Sequence, residues 1–314
     1  MIEKVAVVGA GTMGHGIALA FALHGLDVRL YDVAEEPLAR AVAQIADALE
    51  VMVEEDFVPA DRIEPTIARI RTTADLAAAV ADRDYVIEAA PEKLELKHEL
   101  LRRLDGLMRP EAILASNTSS LPLEAMAAAL SPARRARFMV CHWYNPGHIM
   151  PLVELSHFGN TSEEVYADVA ELYRRIGKQT VKVLKDVPGL VANRIQQGVA
   201  REVFSLIERG VAEPADIDRA LKFGPAFRYA TTGQLEVADF GGLDIWCVVG
   251  DNLLKDMDNS TGANPVLRGA VEEGRLGVKS GRGFFEYPPE TVARTKRQFV
   301  RRLIHQLKAS AFYV

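Results

Sequence analysis

Val5-Ala6-Val7-Val8-Gly9-Ala10-Gly11-Thr12-Met13-Gly14 is the stretch whose reading decides the fold. Its four apolar residues read as a strand buried on both faces, and the G-x-G-x-x-G after them runs into a helical pattern from His15 to His24 that stops at Gly25. Strand, glycine turn and helix in that order make a dinucleotide-binding fingerprint. Gly9 permits the tight turn, Gly11 lets a pyrophosphate approach the backbone, and Gly14 lets helix and strand pack closely. Thr12 and Met13 complete the loop at the helix N-terminus, where free N–H groups and the dipole favour an anion. A second strand, Val28 to Asp32, ends in an acid placed to accept from both hydroxyls of an adenosine ribose. Val33-Ala34-Glu35-Glu36 offers no arginine for a 2′-phosphate, so NAD is the expected cofactor rather than NADP.

Working outward, Tyr85 to Ala90, Ile113 to Ala115, Phe138 to His142, Leu152 to Leu155 and Thr180 to Leu184 read as further strands, with helical segments between most of them. The spacing predicts an α/β architecture, a Rossmann-type doubly wound sheet over residues 1–187. Pro188-Gly189 marks a boundary. Beyond it the period changes to 3.6, which predicts an all-helical domain over 188–290. Residues 291–314 carry Arg294, Lys296, Arg297, Arg301, Arg302 and Lys308 with no acid, and place Phe299, Leu303 and Leu307 at helical spacing. This is a basic amphipathic helix, expected to dock on the protein or on a partner subunit.

With 314 residues, 49% apolar and 25% charged, the chain has the composition of a globular protein large enough for two domains. A net charge of −6 argues against nucleic acid as the main partner, and no apolar run reaches membrane-spanning length. The two cysteines, Cys141 and Cys247, form neither a disulfide framework nor a zinc spacing. No signal-peptide pattern opens the chain, and a cytoplasmic location is expected.

Two candidate reactive groups lie in adjacent apolar runs: His142 near the end of one, Glu154 within the next, with an Asn-Pro-Gly break between. If the strands are neighbours, the carboxylate fixes which imidazole nitrogen carries the proton and leaves the other to take one from a substrate. The same spacing also suits a core histidine bonded to backbone and a strand-end acid in water, and leaves both readings open. Ser116-Asn117-Thr118-Ser119-Ser120, just after a strand, is either a helix cap or a set of donors facing nicotinamide and substrate.

Taken together over residues 1–290, the motifs resemble the 3-hydroxyacyl-CoA dehydrogenase family. They are GAGTMG at Gly9, Asp32, EKLELK from Glu92 to Lys97, SNTSS at Ser116, HWYNP at His142, PLVEL at Pro151, PGLVANR at Pro188 and GVKSGRGFF at Gly277. The resemblance implies a Rossmann domain, a helical domain that makes a homodimer, and NAD-dependent oxidation of a 3-hydroxyl to a 3-ketone. It assigns His142 as base and Glu154 as its orienter, Ser119 and Asn193 to the substrate oxygens, and Glu92, Lys97, Asn117 and Lys279 to the cofactor's surroundings. The interval from His142 to Glu154 is that of the family, which decides for the base reading.

Short-chain 3-hydroxyacyl-CoA is then the nominal substrate, with a place in fatty acid metabolism. Two features depart from that substrate, and the second of them resembles the branch that oxidises free hydroxy acids, the L-gulonate (lambda-crystallin-like) and carnitine dehydrogenases. The helix after the second strand carries Arg40 among Glu35, Glu36, Asp47, Glu50, Glu54, Glu55 and Asp56, where relatives that use coenzyme A place several lysines. Ala226-Phe227-Arg228-Tyr229-Ala230 resembles that branch, and its Arg228 is a group able to hold a carboxylate by a bidentate pair. A non-catalytic crystallin-like or sensor protein that only binds NAD is the third reading, against which the joint presence of His142, Glu154, Ser119 and Asn193 speaks.

Overall fold

The computed structural model describes residues 1–311, so the end of the expected C-terminal helix, residues 312–314, lies outside the described residues. The chain divides into two compact units, Met1–Asn193 with Val300–Leu307, and Arg194–Phe299 with the remaining C-terminal residues.

In the first unit the strands are β1 (Lys4–Val8), β2 (Asp27–Tyr31), β3 (Ile70–Thr73), β4 (Tyr85–Glu88), β5 (Ile113–Ser116), β6 (Phe138–Trp143), β7 (Leu152–Ser156) and β8 (Gln179–Val183). They form a single sheet in the order β3-β2-β1-β4-β5-β6-β7-β8, parallel except where β6 and β7 run antiparallel. Alternation along β1 explains the two-sided core: Val5 and Val7 pack into one apolar cluster, Ala6 and Val8 into the other. The order reverses between β1 and β4, and crevices of this kind lie at the strands' C-terminal ends. Asp32 follows the last residue of β2 at that edge.

One element departs from the sequence reading, the strand β3, and another, the C-terminal helix, docks on the protein as expected. β3 was not anticipated: as an edge strand, Ile-Arg-Thr-Thr buries too little to show a periodic pattern. The acidic helix Glu35–Glu54 is met at its C-terminal end by the basic helix Pro289–Ser310. Arg301 pairs with Glu54 at 2.6 Å and Glu55 at 3.0 Å, and His305 meets Glu55 at 2.5 Å. Ile304 is fully buried, and Val300, Leu303 and Leu307 pack against the cluster that includes Leu49 and Met52. That helix therefore docks on this chain's own first unit.

The second unit is helical. Its segments include most of Ala192–Glu208, then Pro214–Phe223, Pro225–Tyr229, Gln234–Gly241, Leu243–Leu253 and Pro265–Glu272. Asn264 caps the last of these through Val266 N and also bonds Glu208 at 2.7 Å. Few of its apolar residues are buried: Phe240 is 84% exposed and Leu235 83%. Among the described residues, no helix is long and apolar enough to cross a membrane.

Candidate active site

The fingerprint loop sits between β1 and the helix Gly14–Leu23. Gly9 has φ +111°, a left-handed value that favours glycine, and a Cβ there would lie 2.8 Å from Ala89 O. At Gly14 a Cβ would fall on Gly9 O, so only glycine lets strand and helix approach this closely. Above Gly11 nothing lies within 4 Å of a built Cβ. The cradle thus has an exposed backbone face at a helix N-terminus, which fits a pyrophosphate. Asp32 supports it from below: Oδ2 accepts from Ala10 N and Oδ1 from Val33 N, both at 2.8 Å. These bonds leave each oxygen a further lone pair for a ribose hydroxyl.

The antiparallel ladder of β6 and β7 places His142 directly opposite Glu154. Both are buried, and Nδ1 of His142 lies 2.8 Å from Oε2 of Glu154. A deprotonated carboxylate only accepts, so Nδ1 is the donor and Nε2 is the basic nitrogen. The second oxygen of Glu154 accepts from the backbone N–H of Val191 at 2.9 Å and Ala192 at 3.0 Å, at the start of the helix that carries Asn193. Burial pushes the Glu154 carboxyl up, but the bonds from His142, Ala192 and Val191 outweigh it and hold the acid below its ordinary value. One carboxylate therefore positions the imidazole and the segment bearing Asn193. Asn193 in turn accepts through Oδ1 from the hydroxyl of Tyr144 at 2.6 Å.

A second carboxylate governs the hydroxyl-rich loop. Glu92 Oε1 accepts from Thr118 Oγ1 at 2.6 Å, from Ser119 N and Ser120 N at 2.9 Å, and from Ser120 Oγ at 3.0 Å. Partial burial raises its pKa, yet Thr118, Ser120, the Lys97 charge and Ser119 bring it down to about 2. Ser119 is half-buried, with its hydroxyl 3.5 Å from Glu92. Asn117 ties the loop to the dyad's strand, its Oδ1 accepting from Trp143 N at 2.8 Å. The loop is thus more than a helix cap.

Lys97, expected around the cofactor, is enclosed. Its ammonium donates to both oxygens of the fully buried Glu88, at 2.7 and 2.8 Å, and to Ala90 O at 3.3 Å. Glu88 also accepts from Ser116 Oγ at 2.6 Å and Ala90 N at 2.5 Å. Lys97 also pairs with Glu92 Oε2 at 3.5 Å, which links this network to the hydroxyl-rich loop. Lys279 and Arg228 lie in the second unit, both exposed, and no carboxylate among the described residues meets the guanidinium of Arg228.

The profile for the 3-hydroxyacyl-CoA dehydrogenase NAD binding domain matches residues 4–187, and that for the C-terminal domain matches residues 189–287. The chain belongs to the 3-hydroxyacyl-CoA dehydrogenase family. It is an NAD-dependent dehydrogenase, and its reaction is of the 3-hydroxyacyl oxidation type. A probable 3-hydroxybutyryl-CoA dehydrogenase of Deinococcus radiodurans is 38% identical, over 90% of this chain and 100% of its own. A 5-formyl-3-hydroxy-2-methylpyridine 4-carboxylate 5-dehydrogenase of Mesorhizobium japonicum is 35% identical over 97% of both chains. Among solved structures, an NAD+-dependent dismutase of that second activity superposes with a TM-score of 0.91 at 34% identity, covering 99% of both chains. The (S)-3-hydroxybutyryl-CoA dehydrogenase of Ralstonia eutropha gives 0.73 at 35% identity, covering 91% of this chain and 99% of that one.

Sequence reasoning passed over three residues of this family member's site. Glu88 ends a strand that reads as plain apolar core, and an acid inside such a run, with a lysine in the next helix, was the available signal. Tyr144 lies inside the HWYNP motif but carries no charge to draw notice. Lys178 follows a helix-stopping glycine; its buried ammonium donates to Gly147 O at 2.7 Å and Met150 O at 2.8 Å and sits 4.7 Å over the Trp143 ring. Burial brings that ammonium down to about 7. It holds the loop between the two dyad strands, where Gly147 presses against Gly16 of the fingerprint helix.

Proposed function

We propose that His142 is the general base of the oxidation, with Glu154 as its orienter and Ser119 and Asn193 on the substrate oxygens. The observation that carries this is the 2.8 Å contact between Nδ1 and Glu154, which commits Nε2 to receiving a proton. Bound NAD supplies the hydride acceptor. As the hydroxyl proton moves to Nε2, the imidazole becomes cationic beside a carboxylate already held in its charged form. Asp32 and the backbone around Gly11 hold the dinucleotide, with Asn117 and Glu92 fixing the loop beside it. Lys279 is assigned to the cofactor on family resemblance.

For the substrate, a short-chain 3-hydroxyacyl-CoA remains the nominal reading, consistent with the relatives named for 3-hydroxybutyryl-CoA. A specific observation favours a second reading, a small substrate with a free carboxylate. The relative named for a pyridine 4-carboxylate superposes with a TM-score of 0.91, against 0.73 for the (S)-3-hydroxybutyryl-CoA dehydrogenase. The acidic helix Glu35–Glu54 would also oppose a polyanionic nucleotide, and Arg228 is the cation suited to a carboxylate. Steady-state kinetics on 3-hydroxybutyrate and 3-hydroxybutyryl-CoA test the two. Under the second reading Arg228→Met raises KM for the free acid by roughly 10- to 100-fold; a thioester preference with no Arg228 effect defeats it.

The exposed apolar side chains of the second unit, among them Leu235, Phe240, Leu243, Ile245 and Trp246, support a homodimer formed through that unit. Sedimentation tests it, a monomer at micromolar concentration being the contrary result. A cytoplasmic location is part of the same reading.

A further inference from the structure

We infer that Tyr144 is a positioning residue that fixes the side-chain amide of Asn193, so that its N–H donors and not its carbonyl face the substrate oxygen. The inference rests on the role proposed above for Asn193. Tyr144 follows the last residue of β6, and its hydroxyl donates to Asn193 Oδ1 at 2.6 Å. An amide whose oxygen is held in this way has its two N–H donors left for other partners. The phenol is itself constrained, its ring lying edge-on to His142 with centroids 5.4 Å apart and planes at 66°. Burial, and secondarily the charge of Glu154, pushes its pKa above the ordinary tyrosine value, so the hydroxyl keeps its proton and remains a donor at neutral pH.

These contacts close a circuit. His142 bonds Glu154, Glu154 bonds the backbone of Val191 and Ala192, the next residue is Asn193, Asn193 bonds Tyr144, and Tyr144 packs on His142. Within it the amide can turn over only by having the phenol accept from N–H and give up the bond in which it donates to Oδ1. The orientation has a chemical consequence. An alcohol oxygen that is losing its proton to Nε2 gathers negative charge, and fixed N–H donors stabilise that charge where a carbonyl would repel it.

The test is a double-mutant cycle of Tyr144→Phe and Asn193→Ala, with kcat, KM and thermal midpoint measured for all four proteins. Tyr144→Phe keeps the ring and removes only the hydroxyl; it is expected to lower kcat about 5- to 10-fold while leaving NAD affinity and the thermal midpoint near those of the wild type. In the Asn193→Ala background the same change is expected to do almost nothing, because the amide it orients is gone. Losses that multiply, or a Tyr144→Phe enzyme with wild-type turnover, overturn the inference while leaving the role of Asn193 in place. Wild-type turnover in Asn193→Ala removes the reading on which it rests.

Discussion

Glu88 and Glu154 are both fully buried carboxylates on strands of one sheet, and their surroundings differ in one respect. Glu88 is met by the ammonium of Lys97, together with Ser116 and a backbone N–H. Glu154 has backbone N–H donors and the imidazole of His142, but no lysine or arginine among the described residues. The first charge is already neutralised and can only hold structure. The second is stabilised enough to stay ionised, yet keeps its neutralising partner for the moment when His142 takes a proton. Two buried acids of the same sheet thus divide into a strut and a reagent, and the partner decides which is which.

The largest effect expected from breaking this contrast is on turnover. His142→Gln should lower kcat by roughly 10²- to 10⁴-fold with NAD affinity retained, measured by steady-state kinetics beside NAD titration; near-normal turnover would end the base assignment. On the other side, Lys97→Met leaves Glu88 buried without its cation and should cost about 3–5 kcal/mol of stability, read from denaturant unfolding. The folded Lys97→Met enzyme should lose far less kcat than His142→Gln does, and an equal loss would place Lys97 in the chemistry. Glu154→Gln tests the reagent directly. It should depress kcat, and adding it to His142→Gln should cause little further loss, since both remove one function; fully multiplicative losses would separate the two residues.

The smallest expected effect concerns Glu92, which holds the loop between these two acids. Its pKa is about 2 in the folded chain against an ordinary 4.5, so the unfolded chain binds the proton more readily. Its contribution to stability is present above pH 4.5 and is lost as pH falls toward 2. Glu92 is partly exposed, so water screens the effect. Urea midpoints across that window should fall less steeply for Glu92→Gln than for the wild type, and parallel curves would show that the clamp adds nothing.

Much of this was legible in the residues because local rules and tertiary packing agree there. The fingerprint demands glycine at Gly9 and Gly14 for steric reasons visible in the sequence, and the all-apolar strands betray a sheet covered on both faces. His142 and Glu154 were legible as candidates, but their pairing needed a register that spacing alone leaves open. β3 stayed hidden because an edge strand buries little. The enclosure of Lys97 by Glu88 stayed hidden because periodicity gives no sign of which buried position carries the partner. The circuit through Tyr144 and Asn193 joins residues far apart in the chain, and no local pattern encodes such a contact.

The docked C-terminal helix has a consequence for the order in which the molecule is made. Ile304, with Val300, Leu303 and Leu307, completes the apolar core of a unit whose other residues end at Asn193. A chain leaving the ribosome exposes the whole nucleotide-binding sheet well before these side chains are synthesised. Domains ordinarily fold in the order of synthesis, but here the nucleotide-binding unit is completed only by Val300–Leu307, made after the helical segment that separates them from Asn193. Until then the patch that those four side chains cover faces the surrounding solution. A transcript truncated before Val300 would release a protein that carries every residue of the dyad and lacks the lid on its own core.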